Sequence, residues 1–284
     1  MSNLLQRTIT GIIFIAVVIG SIVLSPLAFC ILFLFITLLS VLEFYKMVSA
    51  EEIKPQIIFG AIIASLIFIY FSYLKQTVYR LDWASDLAIT FKIPALIALL
   101  YFMIFIFELF RKSQRPFINI ALTITGIIYV AVPFSLFISI GVNSDADGNY
   151  QPHIALGYLF LLWANDTGAY VFGSKFGKHR LFERISPKKT WEGSIGGAAS
   201  ALLIAYIISL FYTDLQLKDW MVMALIIVIA GTLGDLVESM LKRSLNIKDS
   251  GSIFPGHGGM LDRFDGLLLS APFVFFYLFL FEKI

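Results

Sequence analysis

Residues 8–45 read TITGIIFIAVVIGSIVLSPLAFCILFLFITLLSVLEFY. A single charged side chain, Glu43, interrupts this stretch. A membrane-spanning helix needs about 20 mostly apolar residues. The stretch is long enough for two, and Ser25-Pro26 marks the break between them. The first span could pass for the apolar core of a signal peptide. It is too long for one, only Arg7 precedes it as a cation, and a second span follows at once, so it reads as a retained anchor.

The same pattern recurs along the chain. Nine candidate spans cover residues 8–26, 28–45, 56–74, 93–110, 117–141, 154–173, 193–212, 220–238 and 266–281. Pro26, Pro55, Pro94 and Pro116 fall at or near span ends, where a helix tolerates them. Composition agrees with this reading. The 284 residues are 59% hydrophobic and 14% charged, against about 25% charged in a soluble domain. The expected fold is an all-α integral membrane protein, a polytopic bundle of about nine transmembrane helices with no sizeable soluble domain. A net charge of +2 gives no reason to expect a nucleic-acid partner. Cys30 is the single cysteine. It lies in an apolar run, reads as packing, and excludes both an internal disulfide and a Cys-based metal cluster.

Loop cations set the orientation. With the N-terminus on one side, alternating spans place sixteen of the 21 Lys and Arg residues on that side and five on the other. The richer side is expected to be cytoplasmic, which leaves the C-terminus outside. The chain shows no internal repeat and no paired broken helices of the kind many transporters carry. Its polar residues divide it in two. Residues 1–150 hold spans one to five, mainly a scaffold. Residues 151–284 form a C-terminal region with cytoplasmic loops 174–192 and 239–265. In the first part, Glu43 and Glu108 lie near cytoplasmic span ends. They read either as buried functional carboxylates or, more simply, as headgroup-level acids beside Lys46, Arg111 and Lys112.

The C-terminal part carries the chemistry. Span six contains Asn165-Asp166-Thr167-Gly168-Ala169-Tyr170. At 1.5 Å per residue Asp166 lies about 18 Å along the helix, past the midplane. An ionisable group there is costly and is a functional candidate, with a helix–helix hydrogen bond through Asn165 or Thr167 as the plainer alternative. The next loop holds six cations and ends Ser186-Pro187-Lys188-Lys189-Thr190 before a helix start. That is either topology signal and anionic-lipid attraction or a phosphate site, since hydroxyls and helix N-terminal N–H groups bind anions. At spacing four, Asp235, Ser239 and Arg243 share one helix face, and Glu238 can pair with Lys242. Asp262 and Asp265 sit three apart at the start of span nine, where acids also suit the helix dipole. The glycines around His257 allow close backbone approach to a ligand. Carboxylates, cations and glycines gathered at one membrane surface suit a Mg²⁺-assisted transfer of a phosphoryl or nucleotidyl group.

The stretch Ser239-x-x-Lys242-Arg243-x4-Lys248-Asp249-x4-Phe254-Pro255-Gly256-His257-Gly258-Gly259-x-x-Asp262-Arg263-x-Asp265 resembles the motif of phosphatidate cytidylyltransferases, also called CDP-diacylglycerol synthases. It shows no departure from that motif. The Asn165–Tyr170 and Ser186–Gly193 stretches are also similar, so the resemblance covers about residues 160–266. It implies transfer of CMP from CTP to phosphatidic acid with Mg²⁺, giving CDP-diacylglycerol and pyrophosphate at a bacterial-type inner membrane. By the same resemblance, Asp235 and Asp262 are the metal ligands. Lys242, Arg243, Lys248 and Arg263 hold phosphates. Ser186, Lys188 and Lys189 serve the nucleotide or pyrophosphate, and His257 donates to phosphate. Asp166, Asp249, Asp265 and Ser239 are further site members. Other readings are a cytidylyltransferase or kinase acting on an isoprenoid lipid, a transporter of an anionic solute, and an inactive scaffold. The small residues Gly193-x-x-Gly196-Gly197 permit close helix contacts, including those of a homodimer.

Overall fold

A computed structural model describes residues 3–78, 83–144, 149–253 and 258–284; the side chains of residues 3–7, 74–78 and 83–90 are outside the description. His257, Phe254, Pro255 and Gly256 of the motif, and Arg80 of the cation tally, lie outside the described residues. Nine helices run through the described residues, one for each expected span. They are α1 (Asn3–Leu24), α2 (Pro26–Val48), α3 (Ile57–Val78), α4 (Trp83–Phe110), α5 (Pro116–Gly141), α6 (His153–Phe176), α7 (Trp191–Phe211), α8 (Leu217–Ser244) and α9 (Leu261–Leu280). Among the described residues six helices are long and apolar enough to cross a membrane, and the stretches Thr8–Leu24 and Ile57–Tyr73 are shorter apolar helices. The chain is a polytopic, all-helical membrane protein. The helix outside that set is α6, which carries Asn165, Asp166 and Thr167.

Local sequence explains the boundaries. Ser25 caps α2 by accepting the Ala28 N–H at 3.1 Å, with Pro26 at the first helical position. Helix α4 starts earlier than expected, so Pro94 lies inside it rather than at its end. Helix α5 changes to a π turn over Ile127–Ala131, where Val132 N–H reaches five residues back to Ile127. Pro133 lacks the N–H that would continue the regular ladder, and the turn relaxes around it.

The described chain divides into two compact units. One is Met1–Tyr150 with Asp249–Arg263; the other is Gln151–Lys248 with Phe264–Ile284. In the first unit, Phe29 packs edge-on against Phe33 and Phe137 at 5.0 and 5.7 Å. Such pairs add about 0.5–1.5 kcal/mol beyond their area. A polar knot ties helix ends together. Glu108, 2% exposed, accepts from Gln56 Nε2 at 2.8 Å and Asn119 Nδ2 at 2.7 Å, and pairs with Arg111 at 2.9 Å. The expected Glu108–Arg111 neighbourhood is therefore present, inside a larger buried network.

In the second unit, α6 and α7 pack backbone to backbone. A Cβ on Gly197 would stand 2.7 Å from the Asn165 carbonyl oxygen, and one on Gly196 would overlap the Phe172 side chain. The Gly193-x-x-Gly196-Gly197 stripe is thus spent within the chain. Between these helices the cation-rich segment forms an antiparallel ribbon that the sequence reading did not anticipate. Strand Arg180–Phe182 pairs with Ser186–Thr190, with Arg180 opposite Thr190 and Phe182 opposite Ser186. Thr190 then caps α7 by accepting the Gly193 N–H at 3.2 Å. Its hydroxyl oxygen thereby serves the helix start. Two further short strands are Asn143–Ser144 and Tyr150–Gln151.

Candidate active site

The second unit gathers three carboxylates and one ammonium. Asp166 comes from α6, Asp235 from α8, Asp265 from α9 and Lys189 from the ribbon. Asp166 and Asp265 each feel the charges of Asp235 and Lys189. Backbone proximity brings α8 and α9 together here. A Cβ on Gly234 would stand 2.5 Å from the Asp265 carbonyl oxygen, so only glycine permits this approach next to Asp235.

Each acid is held differently. Lys189 Nζ lies 2.6 Å from Asp235 Oδ2. The Ser239 hydroxyl donates to Asp235 Oδ1 at 3.2 Å, one turn along α8, as the spacing predicts. Asp265 Oδ1 accepts the Gly266 N–H at 2.7 Å. The Lys189–Asp235 pair is partly exposed on both sides. Pairs of that kind contribute about 1 kcal/mol or less, so a tighter ligand can replace either partner.

Other candidates are dispersed over the same unit. Lys242 pairs with Glu238 at 3.3 Å, and Glu238 is fully buried. Arg243, Lys248 and Lys188 are exposed, and Ser186 is half-buried within its strand.

The first unit holds Asp262, Asp249 and Arg263 of the motif, the latter two exposed. Asp262 Oδ2 accepts from Ser250 N at 2.9 Å and Gly259 N at 2.8 Å, and it shares the single Ser250 hydroxyl proton with Glu43, both carboxylates lying 3.0 Å from Ser250 Oγ. Gly258 takes φ +84, and a Cβ there would collide with Asp262 Oδ2. A Cβ on Gly259 would collide with the carboxyl of Glu43. These two glycines let the backbone wrap around the protein's own carboxylates. Of the two readings of Glu43, the structure favours the buried carboxylate. It is 6% exposed, accepts from Leu261 N at 2.8 Å and lies 3.0 Å from Ser250 Oγ. Sequence reasoning passed over Ser250 altogether. The one signal for Glu43 was its isolation in an apolar run.

Mg²⁺ takes hard oxygen donors and usually keeps waters, using one or two carboxylates plus substrate phosphates. The second unit offers that donor set, with three carboxylates against one cation. Among the described residues no group of three or more His, Cys, Asp or Glu side chains converges to hold an ion by itself. A Mg²⁺ ion here would need further oxygen ligands from outside these side chains.

Comparison with known proteins matches residues 5–281 to the model of the cytidylyltransferase family. A Bacillus subtilis phosphatidate cytidylyltransferase is 33% identical over 287 residues, covering 99% of this chain and 100% of the relative. One from Staphylococcus epidermidis is 34% identical over 268 residues, covering 94% and 95%. One from Staphylococcus haemolyticus is 38% identical over 193 residues, covering 67% and 69%. The chain belongs to the cytidylyltransferase family.

Proposed function

We propose that the chain is a phosphatidate cytidylyltransferase, working at the cytoplasmic face of a bacterial-type inner membrane. The observation that carries this reading is the end-to-end match to a relative of that activity, with the acid and cation set of the motif intact. A phosphate oxygen of phosphatidate attacks the α-phosphorus of CTP. The new P–O bond forms as the bond from the α-phosphorus to its bridging oxygen breaks, and pyrophosphate leaves with that electron pair. The attacking phosphate is already ionised, so no protein nucleophile is needed. Position and charge neutralisation supply the rate.

Mg²⁺, when bound, would neutralise charge on phosphate oxygens. Asp235 in the second unit and Asp262 in the first are each proposed as metal ligands, and Ser239 orients Asp235. Lys189 releases Asp235 and turns to phosphate when the nucleotide arrives. Ser186 and Lys188 act with it on the nucleotide or pyrophosphate. Lys242, Arg243, Lys248 and Arg263 hold phosphates, with His257 as a further donor. Asp166 and Asp265 in the second unit and Asp249 in the first are further proposed site members. The sixteen-to-five distribution of loop cations supports a cytoplasmic N-terminus and an external C-terminus. A homodimer would need a surface other than the glycine stripe of α7, which α6 already covers.

The test is a lipid exchange. Purified protein is given CTP and Mg²⁺ with phosphatidate, an isoprenoid phosphate or an isoprenoid alcohol. A CDP-lipid from phosphatidate alone is the expected result. Product from an isoprenoid lipid alone would replace phosphatidate as the substrate.

A further inference from the structure

We infer that Glu43 is a positioning residue that sets the Asp262 carboxylate for its task, although 219 residues separate the two in sequence. Both belong to the same compact unit. Glu43 Oε2 takes the Leu261 N–H at 2.8 Å. Leu261 is the first residue of α9 and directly precedes Asp262. A helix start leaves its first N–H groups without intrahelical partners, and a carboxylate there is favoured by the dipole. The same Oε2 lies 3.0 Å from Ser250 Oγ, whose hydroxyl lies 3.0 Å from Asp262 Oδ2. Glu43 therefore grips both the residue before Asp262 and the serine that holds Asp262.

The loop is shaped around this pair. A Cβ on Gly251 or Gly259 would overlap the Glu43 carboxyl, and one on Gly258 would overlap that of Asp262. An anchor for the loop alone would need no such convergence on one carboxylate. Groups that orient a metal ligand typically change metal affinity 10- to 100-fold when removed. The inference rests on the proposed role of Asp262 as a Mg²⁺ ligand.

The test uses full-length Glu43→Ala, Glu43→Gln, Ser250→Ala and Asp262→Asn in detergent. Two readouts are taken. One is the Mg²⁺ concentration for half-maximal turnover, with KM for phosphatidate beside it. The other is the Mg²⁺-dependent rise in unfolding midpoint, followed through alkylation of Cys30, the single and buried cysteine. Glu43→Ala is expected to raise the Mg²⁺ requirement about 10-fold or more in both readouts, with KM for phosphatidate within about twofold. Glu43→Gln keeps an oxygen for Leu261 N–H and Ser250 Oγ–H and restores the requirement to within about threefold of wild type. Ser250→Ala shifts it the same way, by about threefold, and decides the matter if Glu43→Ala does not fold. Wild-type Mg²⁺ requirements in Glu43→Ala and Ser250→Ala, beside a shifted Asp262→Asn, would overturn the inference alone. An unshifted Asp262→Asn would remove the ligand role of Asp262 on which it rests.

Discussion

The two units hold the acids singled out above in opposite ways. In the first, Asp262 and Glu43 are fixed by backbone N–H groups and one serine hydroxyl, all neutral donors. In the second, Asp166, Asp235 and Asp265 share Lys189 as the cation among them. Neutral donors bound along the backbone cannot leave, so they fix where a carboxylate points. A lysine on a flexible stem can leave, so under the proposed mechanism Lys189 holds Asp235 until a metal or phosphate takes over. Under that mechanism Asp262 and Glu43 supply precision, and the Lys189 cluster supplies exchangeable charge.

The most damaging substitution should be the one that removes exchangeable charge. Asp235→Asn is expected to lower turnover by roughly three orders of magnitude while the protein still inserts and purifies, because a metal ligand supplies several kcal/mol of transition-state stabilisation. Near-wild-type turnover would break the comparison at its strongest point. Gly234→Ala tests the geometry that delivers Asp235. Its Cβ would sit 2.5 Å from the Asp265 carbonyl oxygen, and relief of that clash costs about 1–3 kcal/mol. Turnover should fall about 10- to 100-fold, with a lower unfolding midpoint. Ser239→Ala removes one 3.2 Å hydrogen bond to Asp235. About 1 kcal/mol is at stake, so roughly a fivefold loss in kcat/KM is expected. The smallest effect on activity belongs to Tyr277→Phe. This tyrosine donates to Asp219 at 2.9 Å, and Asp219 also pairs with Lys283 at 3.2 Å. Its loss should leave turnover within about twofold while lowering stability by about 1 kcal/mol. A large loss of turnover there would mean that fixed and exchangeable acids are not separate classes.

Much of this molecule is legible in its sequence because the membrane imposes a simple rule. Helices must satisfy their own backbone, so hydropathy and proline placement locate all nine helices among the described residues, Pro94 excepted. The i,i+4 rule likewise locates Ser239 against Asp235 and Lys242 against Glu238. What stays hidden depends on distant packing. The Glu43–Ser250 bond joins residues 207 apart, and no local pattern announces it. The glycine stripe of α7 announces a close contact but not its partner, since α6 and a second copy would read alike. The Arg180–Thr190 ribbon lacks the apolar alternation that marks a half-buried strand, because cations and Pro187 occupy it.

The most direct measurement follows the phosphorus. Purified protein is incubated with phosphatidate, Mg²⁺ and CTP labelled at either the α- or the γ-phosphorus. The account predicts that α-label enters the lipid and γ-label leaves as pyrophosphate, with neither transfer without Mg²⁺. Gamma-label in the lipid would make the protein a kinase and contradict the proposed reaction.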